Sequence, residues 1–230
     1  MTGWSDIIIA AMQIIDDINW RDQLAISPAQ FFRAKSETVL FAMPLLKHPP
    51  EFLQYLENGM QAPSYGEYEW VSDEASTAAV TVVNTGMTGY ELCSVSQRSA
   101  DGMDYLPYPG VTYDAETGTV TFPIQSAAGI EYSIDFYTDG EFNDLTNTQM
   151  RLFALAVAVT WDDNFQRDWL SDTMKLRDAS FDTVNENNYM RQTNERFIAN
   201  KKSFNDELRD YEQYCAYANV VGYSKKPVLH

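Results

Sequence analysis

Only two histidines and two cysteines are available for chemistry in this chain of 230 residues. His48 stands between Lys47 and Pro49-Pro50, and His230 is the last residue; neither has a Cys, His or Glu at metal-ligand spacing. A Ser–His–Asp set needs a base held by packed neighbours, which a loop histidine and a terminal one do not provide. Cys93 and Cys215 share no C-x-x-C spacing and read as buried or half-buried thiols. No G-x-S-x-G, H-E-x-x-H, G-x-G-x-x-G or phosphate loop occurs. The carboxylate pairs Asp16-Asp17 and Asp162-Asp163 could be imagined as acid/base groups. Neighbours on a helix point about 100° apart, however, so both pairs read as solvated helix faces. The run Asp139-Gly-Glu-Phe-Asn-Asp144 resembles a calcium loop but puts Asp144 where that loop needs Gly and Met150 where it needs Glu. A local role fits better, with Asn143, Asp144 and Thr146 satisfying backbone donors at the start of a helix. The residues therefore predict no catalytic group, no metal ligand and no cofactor.

What the chain has in abundance is aromatic surface: 14 Tyr, 12 Phe and 5 Trp. Tyr105, Tyr108 and Tyr113, or Tyr65, Tyr68 and Trp70, could stack on sugars, fill a β core, or meet another protein. Trp4, Trp20 and Tyr223 near the chain ends suit either a core or an interface, so Trp4, Trp20, Tyr105 and Tyr108 are the candidate interface aromatics. The end of the sequence, Tyr223-Ser-Lys-Lys-Pro-Val-Leu-His230, is cationic at Lys225 and Lys226, then apolar at Pro227, Val228 and Leu229. It reads either as a frayed end or as an arm that orders on a partner, its lysines steering it to an acidic surface.

These residues must be positioned by three kinds of element. In the first third, Ile7, Ile8, Ala11, Ile14, Ile15 and Ile18 recur at helical spacing, with Ser5 as a candidate N-cap. Ser27-Pro-Ala-Gln30 is a stronger helix start, leading into Phe31, Phe32, Val39, Leu40 and Met43. A third helix over Glu51 to Asn58 ends at Gly59. The middle third reads as short strands at Glu67–Val71, Val80–Val83, Tyr90–Ser96, Gly118–Phe122 and Glu131–Tyr137. Within it Val111 to Phe122 forms a hairpin closed by a glycine-containing turn. The last third returns to helix. Thr146-Asn-Thr-Gln149 is a capping box, and Met150, Phe153, Ala154, Val157, Trp161 and Phe165 share a stripe. Leu152 to Val159 is apolar nearly all round and predicts a central helix. Lys175 to Asn188 reads as an extended link, and Met190, Phe197, Phe204, Leu208, Tyr211 and Cys215 mark a long amphipathic helix.

The expected fold class is α+β: a helical bundle built from both chain ends with an inserted small antiparallel β-sandwich or barrel. The expected domains are 1–62 (N-terminal helices), 63–141 (acidic β insert), 142–220 (central and C-terminal helices) and 221–230 (tail).

Charge narrows the partners. The chain holds 16 basic and 33 acidic residues, for a net charge of −17. Residues 60–150 carry 14 acids and one base, Arg98. Duplex DNA and RNA are gripped mainly by Lys and Arg on phosphates, and anionic membranes attract cations, so both are poor partners. DNA sliding past an acidic wall is compatible with this charge. The start of the chain lacks a basic n-region, and the longest apolar stretch, Leu152 to Val159, is far short of the roughly 20 residues of a membrane span. The expectation is a protein that does not enter a membrane by its own signal.

Four segments, taken in order, resemble the head–tail connector (adaptor or neck) proteins of tailed bacteriophages. They are Trp4-Ser-Asp-Ile-Ile-Ile-Ala-Ala-Met-Gln-Ile-Ile-Asp-Asp17, Ser27-Pro-Ala-Gln-Phe-Phe-Arg33, the hairpin Val111 to Phe122, and Phe142 to Trp161 with its polar cap and buried helix. The resemblance implies a structural virion protein at the head–tail interface, not an enzyme, made in the cytoplasm of the bacterial host. It implies a ring, usually dodecameric, that binds the portal protein, joins it to a stopper or tail protein, and passes DNA without specific binding. It implies that the segment Tyr223, Lys225, Lys226, Pro227, Val228 and Leu229 docks on the portal. Another neck component, such as a stopper or tail-completion protein, and a carbohydrate-binding module in the β insert are the alternatives.

Overall fold

The computed structural model describes residues 1–72, 81–99, 102–123, 128–176 and 183–220, with backbone alone for 166–176, 183–190 and 218–220. The described chain is mixed α and β. Six α-helices and three antiparallel sheets are present among these residues, and none of the sheets closes into a barrel, so the barrel alternative is not met.

The chain divides into two compact units. The first takes 1–18, 35–61 and 141–230. It contains strand β1 (Thr2–Gly3), helix α1 (Trp4–Ile15), the second half of a helix described below, a 3₁₀ turn at Met43–Leu46 and helix α4 (Pro50–Asn58). Strand β9 (Glu141–Phe142) and helices α5 (Asn147–Leu176) and α6 (Thr183–Val220) complete it. The second unit takes 19–34 and 62–140, so it adds helical residues from the first third of the sequence to the β region.

Helix α1 starts one residue before the expected cap. Ser5 lies inside it, and the first turn is closed instead by Asp6, whose carboxylate accepts the Gly3 N–H at 3.0 Å. An acid there also complements the helix dipole. Trp4, Ile7, Ile8, Ala11 and Ile15 are buried along one stripe. The stripe stops where Asp16 turns left-handed (φ 50°) and caps the helix with an N–H to the Met12 carbonyl. Ile18, which helical periodicity places on the same stripe, is therefore thrown to the surface.

Helix α5 opens as expected. The Thr146 hydroxyl accepts the Gln149 N–H at 3.3 Å, and the Gln149 side-chain oxygen accepts the Thr146 N–H at 2.9 Å, a reciprocal capping box. The following eight residues from Leu152 to Val159 are all buried, because α5 packs against both α1 and α6. Phe142 joins the two ends of this core, stacked on Trp4 at 5.1 Å and edge-on to Phe153 at 5.3 Å. The predicted extended link is corrected. Lys175 and Leu176 end α5 and Thr183 to Asn188 begin α6, while 177–182 lie outside the described residues. Lys175, Leu176 and Thr183 to Asn188 are thus helical in spite of their polar composition.

In the second unit, helix α2 (Ile18–Ile26) and the start of α3 (Pro28–Ala42) accompany the sheets. Pro28 takes the first helical position, as predicted. Strands β2 (Ser64–Val71), β8 (Glu131–Thr138), β4 (Glu91–Arg98) and β5 (Tyr105–Pro107) form one sheet in that order. Strands β3 (Thr81–Asn84), β7 (Thr119–Phe122) and β6 (Thr112–Asp114) form another. One hydrophobic cluster draws on both: Val83, Val120 and Phe122 with Val95, Tyr132, Ile134 and Phe136. Period-2 alternation on β8 explains this, since Tyr132, Ile134 and Phe136 share a face and Glu131, Ser133 and Asp135 take the other. The predicted hairpin is present, pairing Thr112 with Thr121 and Asp114 with Thr119. Gly118 closes it with φ +67°, and a Cβ there would come within 2.9 Å of the Met87 backbone nitrogen. No other residue type fits that turn without strain.

Candidate functional site

The predicted chemistry-bearing residues do not converge. His48 is exposed between the 3₁₀ turn and α4, and His230 lies outside the described residues. Cys93 is buried in the second unit and Cys215 is half-buried on α6; both thiols are free. Burial pushes the Cys93 thiol up to about 11, with Arg33 opposing that shift. Burial likewise raises Cys215. No cluster of three or more His, Cys, Asp or Glu side chains able to hold a metal occurs among the described residues.

The Asp139 to Asp144 run is used locally, though differently from expectation. The Asp139 carboxylate accepts the Tyr137 hydroxyl at 2.9 Å and the Gly140 N–H at 3.0 Å. Asn143 donates to the Tyr55 carbonyl at 2.9 Å, and the Asp144 carbonyl accepts the Tyr55 hydroxyl at 2.8 Å. Of the three residues assigned to helix capping, Thr146 caps the helix; these contacts of Asn143 and Asp144 tie β9 to α4.

Two of the four candidate interface aromatics are corrected. Trp4 is fully buried on Phe142, and Trp20 is 1% exposed, edge-on to Phe31 at 5.5 Å. A ring with no exposed face cannot meet a partner. Tyr108 packs on Phe122 and Tyr132 at 5.8 and 5.4 Å, and Tyr113 on Phe136 at 5.1 Å. Tyr105 keeps 45% of its surface in solvent and donates its hydroxyl to Glu131 at 2.8 Å. The three tyrosines therefore do not make one exposed platform. Edge strand β5 ends at Pro107, which has no N–H to offer a further strand. The segment Tyr223, Lys225, Lys226, Pro227, Val228 and Leu229 lies outside the described residues.

The pairing that sequence reasoning missed is inside the first unit. Asp162 was assigned to a solvated face, yet it is 0% exposed. Arg196 on α6 gives it an Nη2–Oδ1 contact of 2.5 Å and an Nε contact of 3.2 Å, and Asn200 donates to its other oxygen at 3.1 Å. The same guanidinium donates Nη1 to the Ile15 carbonyl at 2.9 Å, where α1 ends. One cation thus holds the C-terminus of α1 and the middle of α5 against α6, and it sits at the negative end of a helix dipole. Burial raises the Asp162 carboxyl above its ordinary range, and the Arg196 and Asn200 contacts oppose that rise without cancelling it. The available signal was spacing: Ala154, Ala158 and Asp162 follow one another at four-residue steps along a buried stripe.

No family model, curated protein or solved structure matches the chain. A concave surface with an apolar floor lies in the first unit. Phe41, Leu45, Val159 and Phe197 line a groove of about 570 Å³, with Thr160, Asp163, Asn164 and Lys201 around them. Phe41 is 64% exposed although it stands on the wall of that groove, and Ile198 next to Phe197 is also exposed. Lys201 lies over the Phe197 ring at 5.4 Å. Nearby, Lys35 is placed over the Trp161 ring at 4.3 Å, and burial lowers its pKa. Such a surface can bind an apolar segment. No helix among the described residues is long and apolar enough to cross a membrane.

Proposed function

We propose that this chain is a structural subunit of a tailed-bacteriophage virion, a head–tail connector that forms a ring under the portal and continues the DNA channel. The order of the four resembling segments along the sequence carries this reading. Those segments fall on α1, on the start of α3, on the β6–β7 hairpin and on the entry from β9 into α5. The arrangement that goes with it is a helical bundle from both chain ends bearing an antiparallel β-sandwich insert, repeated in a dodecameric ring. Its partners are the portal protein on one side and a stopper or tail protein on the other. A net charge of −17 supports a channel lining that repels phosphate and lets DNA slide. Exposed apolar side chains at Phe41 and Ile198 support contact with other subunits.

The test is to mix the purified protein with portal rings and view the product by negative-stain electron microscopy, with light scattering on the protein alone. A new ring of density below the portal is the expected outcome. A protein that stays monomeric and ignores portal overturns the connector reading and directs the search to stopper and tail-completion partners. The exposed ring of Tyr105 keeps a glycan-binding reading in view. Saturable glycan binding that Tyr105→Ala abolishes would favour it.

A further inference from the structure

We infer that the outer edge of β2 is a docking site for an extended basic segment of another protein, which joins the sheet as an antiparallel strand with Lys or Arg opposite Glu67 and Glu69. The inference stands apart from the connector reading and uses residues of the second unit alone.

The two sheets of that unit end in four edge strands, and β2 differs from the other three. Strands β5 and β6 have three residues each and β3 has four. Short edges give another chain little to pair with. Strand β2 has eight residues, contains no proline, and pairs with β8 without a bulge from Ser64 opposite Thr138 to Val71 opposite Glu131. A strand of that length and regularity is a template for a further strand.

Alternation fixes which main-chain groups it offers. The Ser72 N–H donates to the Ile130 carbonyl at 2.8 Å, so the backbone of Ser72 faces β8. In an antiparallel ladder every second residue faces the same neighbour, which turns Trp70, Tyr68 and Gly66 toward β8 as well. The N–H and C=O groups of Glu67, Glu69 and Val71 then point outward, where none of the described residues bonds them.

Side chains select the occupant. Tyr65, Glu67, Glu69 and Val71 share the exposed face of β2. On the adjoining β8, Asp135 is held by Arg33 at 3.1 Å and Glu131 by Arg98. Glu67 and Glu69 meet no cation among the described residues. Opposite charges facing each other across a ladder stabilise it and like charges destabilise it, so an added strand gains by placing cations there. A second copy of β2 is the wrong occupant. The antiparallel register that covers Tyr65 to Val71 sets the Glu67 of each copy against the Glu69 of the other. Along the incoming strand the matching pattern is apolar-x-basic-x-basic-x-aromatic, facing Val71, Glu69, Glu67 and Tyr65 in turn.

The experiment uses the full chain and a labelled peptide that alternates threonine with Val, Lys, Lys and Tyr in that order, read by fluorescence anisotropy. A second peptide is N-methylated at both lysines, which removes the main-chain donors facing Glu67 and Glu69 and keeps the charges. Saturable binding of the first peptide is expected, with at least about tenfold weaker binding of the second. Glu67→Lys/Glu69→Lys should weaken the lysine peptide by a similar factor and favour a peptide with Glu in place of both lysines. Glu67→Gln/Glu69→Gln replaces that variant if its melting temperature falls. Hydrogen exchange over residues 64–71 should slow when the lysine peptide is bound. Equal binding of the two peptides would reduce the effect to attraction between cations and an acidic chain, and overturns the docking site. So does a lysine peptide that fails to bind, or one that binds and leaves exchange over 64–71 unchanged.

Discussion

Each unit of this molecule holds an acid against an arginine, and two of these pairs, Asp162–Arg196 in the first and Glu131–Arg98 in the second, differ sharply in burial. In the first unit Asp162 is buried, and Arg196 reaches it while remaining 31% exposed. In the second, Arg98 meets Glu131 at 2.5 Å near the surface, with Tyr105 adding a hydrogen bond. Burial raises the Asp162 carboxyl, whereas the Tyr105 and Arg98 bonds lower that of Glu131. The buried pair works against a desolvation cost and matters because losing one partner strands the other. The surface pair is screened and orders the sheet edge at little energetic gain. The Asp162–Arg196 pair is therefore a structural clamp, and the Arg98–Glu131 pair a surface fitting.

The largest effect that could break this contrast comes from the core beneath the clamp. Phe153→Ala is expected to cost about 3–5 kcal/mol in denaturant unfolding, because the ring is fully buried on α5 and packs edge-on to Phe142. A cost near 1 kcal/mol would mean that α5 is not the centre of its unit.

Next is the clamp itself. Arg196→Met should destabilise by about 3 kcal/mol near neutral pH by leaving Asp162 buried without its cation. Restoring part of that loss with Asp162→Asn in the same chain would identify the stranded charge as the cause. Arg98→Met should shift the melting temperature no more than an ordinary surface substitution; an equal loss at both arginines would erase the distinction.

The half-buried Trp161 falls between these. Trp161→Ala is expected to cost about 2 kcal/mol, below the range for a fully buried indole, since its face is shared with the Lys35 ammonium. Calorimetric melting checks it.

The two carboxyls should also answer acid with opposite signs. The folded pKa of Asp162 lies above its unfolded value, so the fold takes up the proton first and gains stability as pH falls through that folded value. The folded pKa of Glu131 lies below its unfolded value, so its contribution is present above the unfolded value and is lost as pH falls through the folded one. Melting curves of Asp162→Asn and Glu131→Gln against wild type, from pH 7 to pH 3, should diverge in opposite directions. Parallel curves would remove the electrostatic part of the comparison.

The smallest effect concerns the cysteines. With its thiol pushed up to about 11, Cys93 holds on the order of one part in a thousand as thiolate at pH 8. Native protein should therefore label first at Cys215, read by mass spectrometry after a short pulse of a thiol reagent.

Legibility differed between these regions for a physical reason. The sheet strands, the β6–β7 hairpin and the capping box of α5 were readable because each depends on neighbours within a few residues: alternation, a turn glycine, a reciprocal Thr146–Gln149 bond. The apolar groove was not readable, because Phe41, Val159 and Phe197 come from three helices far apart in the chain. Trp4 and Trp20 misled for the same reason, since an aromatic near a chain end looks alike whether it faces solvent or Phe142.

By itself the sequence determined the alternation of helical and strand segments, the acidic surplus, and the lack of a recognised catalytic motif. Those follow from local periodicity and composition, which need no partner residue to be defined. Only the tertiary structure decided that Asn19–Ala34 join the sheets, that Asp162 is buried, and that Arg196 binds both it and the Ile15 carbonyl. Each of those depends on a contact between residues distant in sequence, and burial is a property of the packed chain rather than of any residue in it.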